Sequence, residues 1–276
     1  MKRKTGFTLV ELLVVIAVIA LLMSILMPVL RNARDQAMRI ICKSREKNIV
    51  LGMTVYADNH SNRIPPGAGA WPWDLARDTS RDIVRNMGID VTSFRRLDNN
   101  PNPPGSHYVP LQYAPLFYCP ANTVQKRMLT TNWLFTNTGN PYASGYRVAG
   151  YIFMWYAGWN GQGNRAFLAS MGPEDNSVDP SKKWVDRTDI PQASERELIA
   201  DATLSNPAAA GTPERLKYPY GNFGKVMIGG NPIDASSHII TDDKAAGGNI
   251  GFVDGHVEWR SWKEMKIRWR SPSFWW

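Results

Sequence analysis

The longest apolar segment lies near the start of the chain. From Phe7 to Leu30 it is interrupted only by Thr8, Glu11 and Ser24. A helix of about 20 apolar residues is long enough to cross the hydrocarbon core of a bilayer. A cleaved secretory signal is the alternative, but its apolar region is usually shorter, and no small-x-small cleavage site follows between Ser24 and Arg34. We therefore predict a transmembrane helix over residues 7–30 that stays in the mature protein.

The apolar pattern then changes to a stripe at a spacing of three to four residues, which predicts that the helix continues to about Ala57. Polar and turn-forming residues at Asp58 to Asn62, followed by Pro65, Pro66 and Gly67, predict its end. Residues 7–57 are thus expected to form one spine, half of it in lipid and half of it packed on a head domain.

The remaining residues, 58–276, are expected to form an α+β head built on an antiparallel sheet. One short helix is predicted over Trp73–Met87, and a loop over Asp98–Ser106. The predicted strands are separated by Gly, Pro, Asn and Ser clusters. They are Pro115–Tyr118, Arg147–Tyr156, Glu197–Thr203, Lys225–Ile228, Asn249–Val253 and His256–Trp262.

A hairpin is the strongest local signal in the head. In the segment Phe252–Val257, Asp254 and Gly255 stand between two alternating apolar runs. Asp-Gly in this position favours a two-residue type I′ turn.

Composition and charge narrow the class of protein. The 276 residues are 43% hydrophobic and 20% charged, which excludes a wholly disordered chain or a protein of many membrane spans. The net charge is +8, but apart from Lys2, Arg3 and Lys4 the basic residues are scattered and form no stripe. Nucleic acid is therefore not an expected partner.

The first eleven residues resemble the type III signal of type IV pilins and type II secretion pseudopilins: a short basic leader, Gly6, Phe7 and then Glu11. The resemblance implies that a prepilin peptidase removes leader residues 1–6 by cutting between Gly6 and Phe7, and then methylates the new amine. It also implies that Glu11 pairs with the amine of a neighbouring subunit during assembly. Pro28 matches a proline at which pilin helices kink.

The same resemblance implies a single-pass protein of the bacterial inner membrane, with a cytoplasmic N-terminus and an extracytoplasmic head. The basic leader favours this orientation.

The segment around Asp254, Gly255 and His256 resembles the C-terminal motif of a pseudopilin-like group, in which a histidine precedes Asp-Gly by nine residues. Here the nearest upstream histidine, His238, has fifteen residues between it and Asp254. The three residues of the motif match directly, whereas His238 matches only if an insertion separates it from them.

The chain has two cysteines, Cys42 and Cys119, which are too few for a disulfide scaffold or a four-ligand zinc site. One bridge between them is compatible with a compartment outside the cytosol, but their spacing does not show whether they pair.

Metal binding and catalysis leave weaker signals. Major pseudopilins bind calcium in a C-terminal loop, and by resemblance Asp242, Asp243 and Asp254 are the candidate ligands here. Asp201, His238 and His256 could be added to such a group, but the spacing does not require it. Hydrolase motifs are absent from the sequence, so we expect no enzyme and no obligatory cofactor.

Eleven tryptophans suggest one more hypothesis, a membrane-anchored carbohydrate- or polymer-binding protein that does not polymerise. Trp155 and Trp159 flank a Gly-rich segment, and five more tryptophans crowd the C-terminus. These five are Trp259, Trp262, Trp269, Trp275 and Trp276.

Taken together, the residues and the resemblance predict a pseudopilin-like structural subunit of a type II secretion or related filament. A type IV pilus subunit and the carbohydrate-binding protein are the alternatives. The implied partners are prepilin peptidase, other copies or related pseudopilins, an inner-membrane assembly platform and membrane lipid.

Overall fold

The computed structural model divides the chain into two compact units, residues 1–38 and 39–276. The structure describes residues 8–65, 73–91, 111–122, 146–154, 185–205, 223, 226–228, 231–234, 236–241, 244–265, 267–269 and 273–275.

The first element, helix α1, extends from Leu9 to Asp58, and the boundary between the two units falls within it. Ser61 and Asn62 then take positive φ angles of 55° and 63°, and the Asn62 N–H donates to the Ala57 carbonyl at 2.9 Å. A residue in the left-handed region closes the last turn of a helix and satisfies one of its free carbonyls. The polar cluster after Ala57 therefore ends the helix where the sequence predicts.

Among the residues that the structure describes, the head contains thirteen strands and one further α-helix. Helix α2 spans Arg77–Asn86 and follows strand β1. The strands are β1 (Asp74–Ala76), β2 (Tyr146–Val148), β3 (Tyr151–Phe153), β4 (Glu197–Asp201), β5 (Leu204–Ser205), β6 (Val226–Ile228), β7 (Asn231–Asp234), β8 (Ile239–Thr241), β9 (Lys244–Ala245), β10 (Gly247–Phe252), β11 (Val257–Ser261), β12 (Ile267–Trp269) and β13 (Ser273–Trp275).

The main sheet has four strands in the order β11-β10-β4-β3, and every neighbouring pair in it is antiparallel. A three-stranded sheet, β12-β13-β5, and three two-stranded ribbons, β1-β2, β6-β7 and β8-β9, complete the described sheets. A long N-terminal helix followed by antiparallel sheets confirms the predicted α+β class with its pilin-like architecture.

The second half of α1 packs on the main sheet through a glycine. Gly251 of β10 pairs with Ile199 of β4 and Val257 of β11. A Cβ atom at Gly251 would lie 2.7 Å from Cγ2 of Ile199 and 3.1 Å from Cγ2 of Val50, which is on α1. Because such contacts are too short, only glycine lets the helix approach the sheet this closely.

The predicted hairpin forms between β10 and β11, but its turn is not type I′. The Gly255 N–H donates to the Phe252 carbonyl at 3.0 Å, and the Phe252 N–H donates to the His256 carbonyl at 3.0 Å. Gly255 has a φ of +92°, whereas Asp254 is not among the residues with positive φ. A three-residue loop with glycine in the left-handed position therefore replaces the predicted two-residue turn, because only one of its residues needs a positive φ.

Two other predictions fail in detail. The segment predicted as a strand over Pro115–Tyr118 is part of a 3₁₀ helix, Leu111–Phe117, because proline lacks the N–H that a ladder requires and its fixed φ suits a helical turn. The helix predicted over Trp73–Met87 begins only at Arg77, because Leu75 is fully buried in β1, where it pairs with Arg147.

The strand predicted over Arg147–Tyr156 is interrupted in the structure. The Ala149 N–H donates to the Trp73 carbonyl at 2.9 Å, and the Gly150 N–H donates to the Phe117 carbonyl at 2.8 Å. These bonds take the backbone out of the ladder between β2 and β3. The loop predicted over 98–106 lies outside the described residues.

Candidate functional site

The first turn of α1 holds Glu11 in a capping box with Thr8. The Thr8 N–H and the Thr8 hydroxyl donate to Oε2 of Glu11 at 2.8 Å and 2.9 Å, and the Glu11 N–H donates to Oγ1 of Thr8 at 3.2 Å. This reciprocal arrangement satisfies free backbone donors at a helix start, where a carboxylate is also favoured by the helix dipole. Glu11 is thus oriented from within its own chain. Gly6 and Phe7 lie outside the described residues.

The apolar residues after Glu11 are exposed around the whole helix. The large hydrophobic side chains from Leu9 to Leu30 are between 45% and 86% exposed. Pro28 lies inside α1 without ending it, and the Ser24 hydroxyl donates to the Leu21 carbonyl at 2.7 Å. The helix is long and apolar enough to cross a membrane. An apolar surface of this size and shape fits a membrane anchor.

In the head, five polar side chains from four separate segments come together, and we call them the buried polar cluster. Cys42 and Glu46 are one turn apart on α1, Cys119 follows the 3₁₀ helix, Asp201 ends β4, and His238 lies between β7 and β8. Each of these residues is at most 7% exposed. The turn spacing on α1 places Cys42 and Glu46 on the face that packs into the head.

Within the buried polar cluster, Cys42 and Cys119 form a disulfide with their Cα atoms 5.3 Å apart. This bridge joins residues separated by 77 positions and fastens the 3₁₀ segment to α1. A guanidinium nitrogen of Arg45 adds a second connection, because it donates to the Tyr118 carbonyl at 2.7 Å.

The imidazole of His238 lies between the disulfide and a carboxylate. Its Nε2 atom is 3.3 Å from Sγ of Cys119 and 3.3 Å from Oδ2 of Asp201. The same Oδ2 atom accepts hydrogen bonds from the backbone and side-chain nitrogens of Asn249 at 2.8 Å and 2.9 Å. Oδ1 of Asp201 is buried with no hydrogen-bond partner among the described residues.

His238 keeps this position at a conformational cost. Its φ is +52°, in the left-handed region that residues other than glycine seldom adopt. The Ala246 N–H donates to its carbonyl at 2.8 Å, and the ring of Trp259 meets its imidazole edge-on at 5.2 Å. Arg39 in turn lies over the Trp259 ring, 4.2 Å from its centre. Neighbouring groups therefore hold the strained residue in place.

Glu46 is the most unusual member of the buried polar cluster. Both of its carboxyl oxygens are buried, and neither has a hydrogen-bond partner in the part of the chain that the structure describes. Burial raises its pKa well above 4.5, and the nearby charge of Asp201 raises it further. We conclude that Glu46 is held neutral, since an ionised carboxylate without a partner is very unfavourable in a protein interior.

Tyr151 shares the surroundings of Glu46. Its hydroxyl is also buried and has no hydrogen-bond partner among the described residues. Burial raises the pKa of this hydroxyl, and the charge of Asp201 adds to the effect. The carboxylates and this phenol thus share one region of low polarity.

The C-terminal motif is not part of this cluster. Asp254 and His256 form a pair at the hairpin, with Nδ1 of His256 2.5 Å from Oδ1 of Asp254 and both side chains partly exposed. Burial alone would raise the pKa of Asp254, but the hydrogen bonds from the backbone and ring of His256 lower it overall. Asp242 and Asp243, the other candidate calcium ligands, lie outside the described residues.

The tryptophans whose side chains the structure describes are packed against the protein. Trp73 is buried, Trp259 contacts Arg39 and His238, and the ring of Trp262 meets Phe223 edge-on at 5.0 Å. These three tryptophans do not form an exposed row. Of the others that the sequence singled out, Trp155, Trp159 and Trp276 lie outside the described residues.

Sequence reasoning considered Asp201 and His238 only as members of a loose group and did not single out Glu46. The signal for Glu46 was its spacing of one helical turn from Cys42, on a stripe that continues to Ile49 and Met53. An acid on an apolar stripe indicates burial.

Comparisons with known proteins bear on the N-terminal part. Residues 1–27 match the family model described as the prokaryotic N-terminal methylation motif. Comparison with curated proteins and with solved structures found no match. The matched motif implies processing by prepilin peptidase and assembly with other pilin-type subunits. The chain carries a prepilin-type N-terminal methylation motif, and this is consistent with a type IV pilin-like or pseudopilin-like protein.

Proposed function

We propose that the protein is a pseudopilin-like structural subunit of a type II secretion filament, without catalytic activity of its own. The observation that carries the proposal is the methylation motif at residues 1–27, which overlaps an exposed apolar helix beginning at Leu9. A signal for cleavage and methylation on a helix that stays apolar on every side fits a subunit that leaves the membrane by packing against other helices.

In this proposal, prepilin peptidase cuts between Gly6 and Phe7 and methylates the new amine. The carboxylate of Glu11 then pairs with the amine of an adjacent subunit, since an unpaired charge inside a membrane is costly. Both hydrogen bonds from Thr8 go to Oε2 of Glu11, which leaves Oε1 available to the incoming amine. Thr8 would thus orient the carboxylate before assembly.

The proposed location is the bacterial inner membrane, with residues 1–6 in the cytoplasm and the head outside it. A disulfide between Cys42 and Cys119 supports this orientation, because disulfides persist mainly in oxidising compartments. An inner-membrane assembly platform would add subunits from the membrane side.

Mass spectrometry of the N-terminal peptide tests the processing step. The full chain is expressed with and without a prepilin peptidase. We expect a methylated N-terminus at Phe7 only when the peptidase is present. An intact Met1, or a cut beyond Met27, would contradict the proposal.

Assembly is tested with Glu11→Ala, which should insert into the membrane normally but lose filament formation almost completely. Glu195→Ala is the matched control, because Glu195 is an exposed acid of the head. Normal filaments from Glu11→Ala would remove the role given to this carboxylate.

The choice of a secretion filament over a pilus needs its own test, because the motif is common to both. The chain is expressed with the assembly components of either system. Filaments are then isolated, and a label on the head shows whether they contain the chain. Incorporation with the pilus components alone would assign the protein to a type IV pilus.

A further inference from the structure

The buried polar cluster contains a set of donor atoms that a disulfide alone does not require. One ligand atom from each of Cys42, Cys119, Asp201 and His238 lies within 4.8 Å of the other three. Two sulfurs, one imidazole nitrogen and one carboxylate oxygen form a ligand set suited to zinc and similar divalent cations, and unsuited to calcium or magnesium.

Two of the separations between these donor atoms match a tetrahedral site. Zinc–ligand distances of about 2.0 to 2.3 Å place neighbouring donor atoms roughly 3.3 to 3.8 Å apart in a tetrahedron. Nε2 of His238 is 3.3 Å from Sγ of Cys119 and 3.3 Å from Oδ2 of Asp201. The two sulfurs are closer than this, because they are bonded to each other.

A separate observation also points to a cation. Glu46 lies one turn from Cys42, is fully buried, and has both carboxyl oxygens without a partner among the described residues. It stands on the same face of α1 as Cys42. A buried carboxyl group without a partner is unfavourable in a protein interior unless it binds something.

Neighbouring groups already hold two of the four ligand side chains in place. Oδ2 of Asp201 is held by two hydrogen bonds from Asn249, and the imidazole of His238 is held by the edge of Trp259. Groups of this kind orient metal ligands and add to metal affinity. His238 holds this position with a positive φ, at the expense of backbone strain.

We infer that the dithiol form of this protein binds one zinc-class divalent cation through Cys42, Cys119, Asp201 and His238, and that formation of the disulfide closes the site. Opening the site takes two electrons and two protons from a dithiol reductant, which itself becomes a disulfide, while Cys42 and Cys119 become thiols. Binding of the cation then releases the two thiol protons.

The test uses the full chain in detergent micelles, in its oxidised form and after reduction with a phosphine that is then removed without oxygen. Zinc is measured by mass spectrometry after gel filtration against a weak chelator. Cobalt(II) serves as the spectroscopic probe for thiolate ligation and tetrahedral geometry. We expect one zinc per reduced chain and none per oxidised chain.

Variants identify the ligands. His238→Ala and Asp201→Asn should each weaken zinc binding by the reduced chain about tenfold or more, since each removes or weakens one ligand. His256→Ala is the matched control and should leave binding unchanged, because His256 forms the other, partly exposed Asp-His pair. The double variant Cys42→Ser, Cys119→Ser should not give the cobalt–thiolate spectrum.

Equal zinc content in the oxidised and reduced chains would overturn the inference, as would an equal loss in His238→Ala and His256→Ala. Circular dichroism is recorded before and after zinc is added, to detect any unfolding of the head on reduction. A cation that binds the folded dithiol form should restore the native spectrum or raise the unfolding temperature. A reduced chain that zinc neither binds nor refolds would also overturn the inference.

Discussion

The two halves of helix α1 have the same secondary structure but opposite relations to their surroundings. Every residue from Thr8 to Ala37 is exposed, although most of them up to Leu30 are apolar. From Cys42 to Ala57 the chain has four charged residues, against one from Thr8 to Leu30, yet Ile49, Val50 and Met53 are completely buried. A helix that is apolar on all sides needs lipid or other helices around it, whereas a helix with one apolar stripe is completed by its own domain. The arrangement of the apolar residues thus distinguishes the two halves better than their number does.

The largest expected effect comes from removing the covalent bond that belongs to the second half alone. Cys42→Ser with Cys119→Ser should lower the free energy of unfolding of the head by about 2–5 kcal/mol, because the bridge closes a long loop in the unfolded chain. The free energy of unfolding is measured by urea unfolding of the oxidised wild-type chain and of the variant in micelles, followed by tryptophan fluorescence. Membrane insertion should not change. An unaltered urea midpoint would show that the bridge is dispensable for the head.

A matched pair of truncations compares the two halves directly. Ile49→Ala should cost about 2–5 kcal/mol of head stability, since Ile49 is fully buried and its loss leaves a cavity. Leu22→Ala removes a similar volume from a side chain that is 60% exposed, and should change head stability by less than about 0.5 kcal/mol. Equal effects in the same urea experiment would mean that the two halves do not differ as described.

Glu46→Gln tests the buried half of α1 in a second way, because Glu46 is an acid on the buried stripe of that half. Burial raises the pKa of Glu46 in the folded state, so above its ordinary value of 4.5 the unfolded chain releases a proton that the folded chain keeps. Wild-type stability should therefore fall as pH rises from 4.5 toward the raised pKa, by up to about 1.4 kcal/mol per pH unit.

Glu46→Gln should remove this part of the pH dependence, and its stability relative to wild type should increase with pH over that range. Urea midpoints at several pH values measure the change. Glu195→Gln is the control, since Glu195 is exposed and the change there should leave the pH profile as it is. Parallel profiles for wild type and Glu46→Gln would argue against a neutral buried Glu46.

The smallest effect is expected at the exposed hairpin. The hydrogen bonds of His256 outweigh burial and lower the pKa of Asp254. The stability from this pair is present above the ordinary pKa of 3.8 and is lost as pH falls through the lowered value. Because the pair is partly exposed, Asp254→Asn should cost no more than about 1 kcal/mol at neutral pH. A loss as large as that of Ile49→Ala would contradict this ranking.

Local patterns were sufficient to predict the features that depend on neighbouring residues. The extent of α1 followed from hydrophobic periodicity and from the polar residues after Ala57. The β10-β11 hairpin followed from Asp254 and Gly255. Its turn has three residues instead of two, because the Phe252 N–H pairs with the His256 carbonyl and only Gly255 takes a positive φ.

The buried polar cluster could not be predicted in the same way, because its members are far apart in the sequence. His238 and Cys119 are separated by 119 positions, and Asp201 and Asn249 by 48. Contacts of this kind depend on how the strands pair. The spacing of fifteen residues between His238 and Asp254 suggested an insertion, but it gave no indication that His238 would face the cysteines.

The bridge between α1 and the 3₁₀ segment has a further consequence when the molecule is under mechanical load. A pull applied along the polypeptide passes through covalent bonds, and the bond between Cys42 and Cys119 offers a direct route between these two positions. The residues from 43 to 118, which include the buried stripe of α1 and all of α2, therefore lie outside the path of the force. In the oxidised protein this segment cannot be extended by tension, whatever the fate of the non-covalent contacts around it.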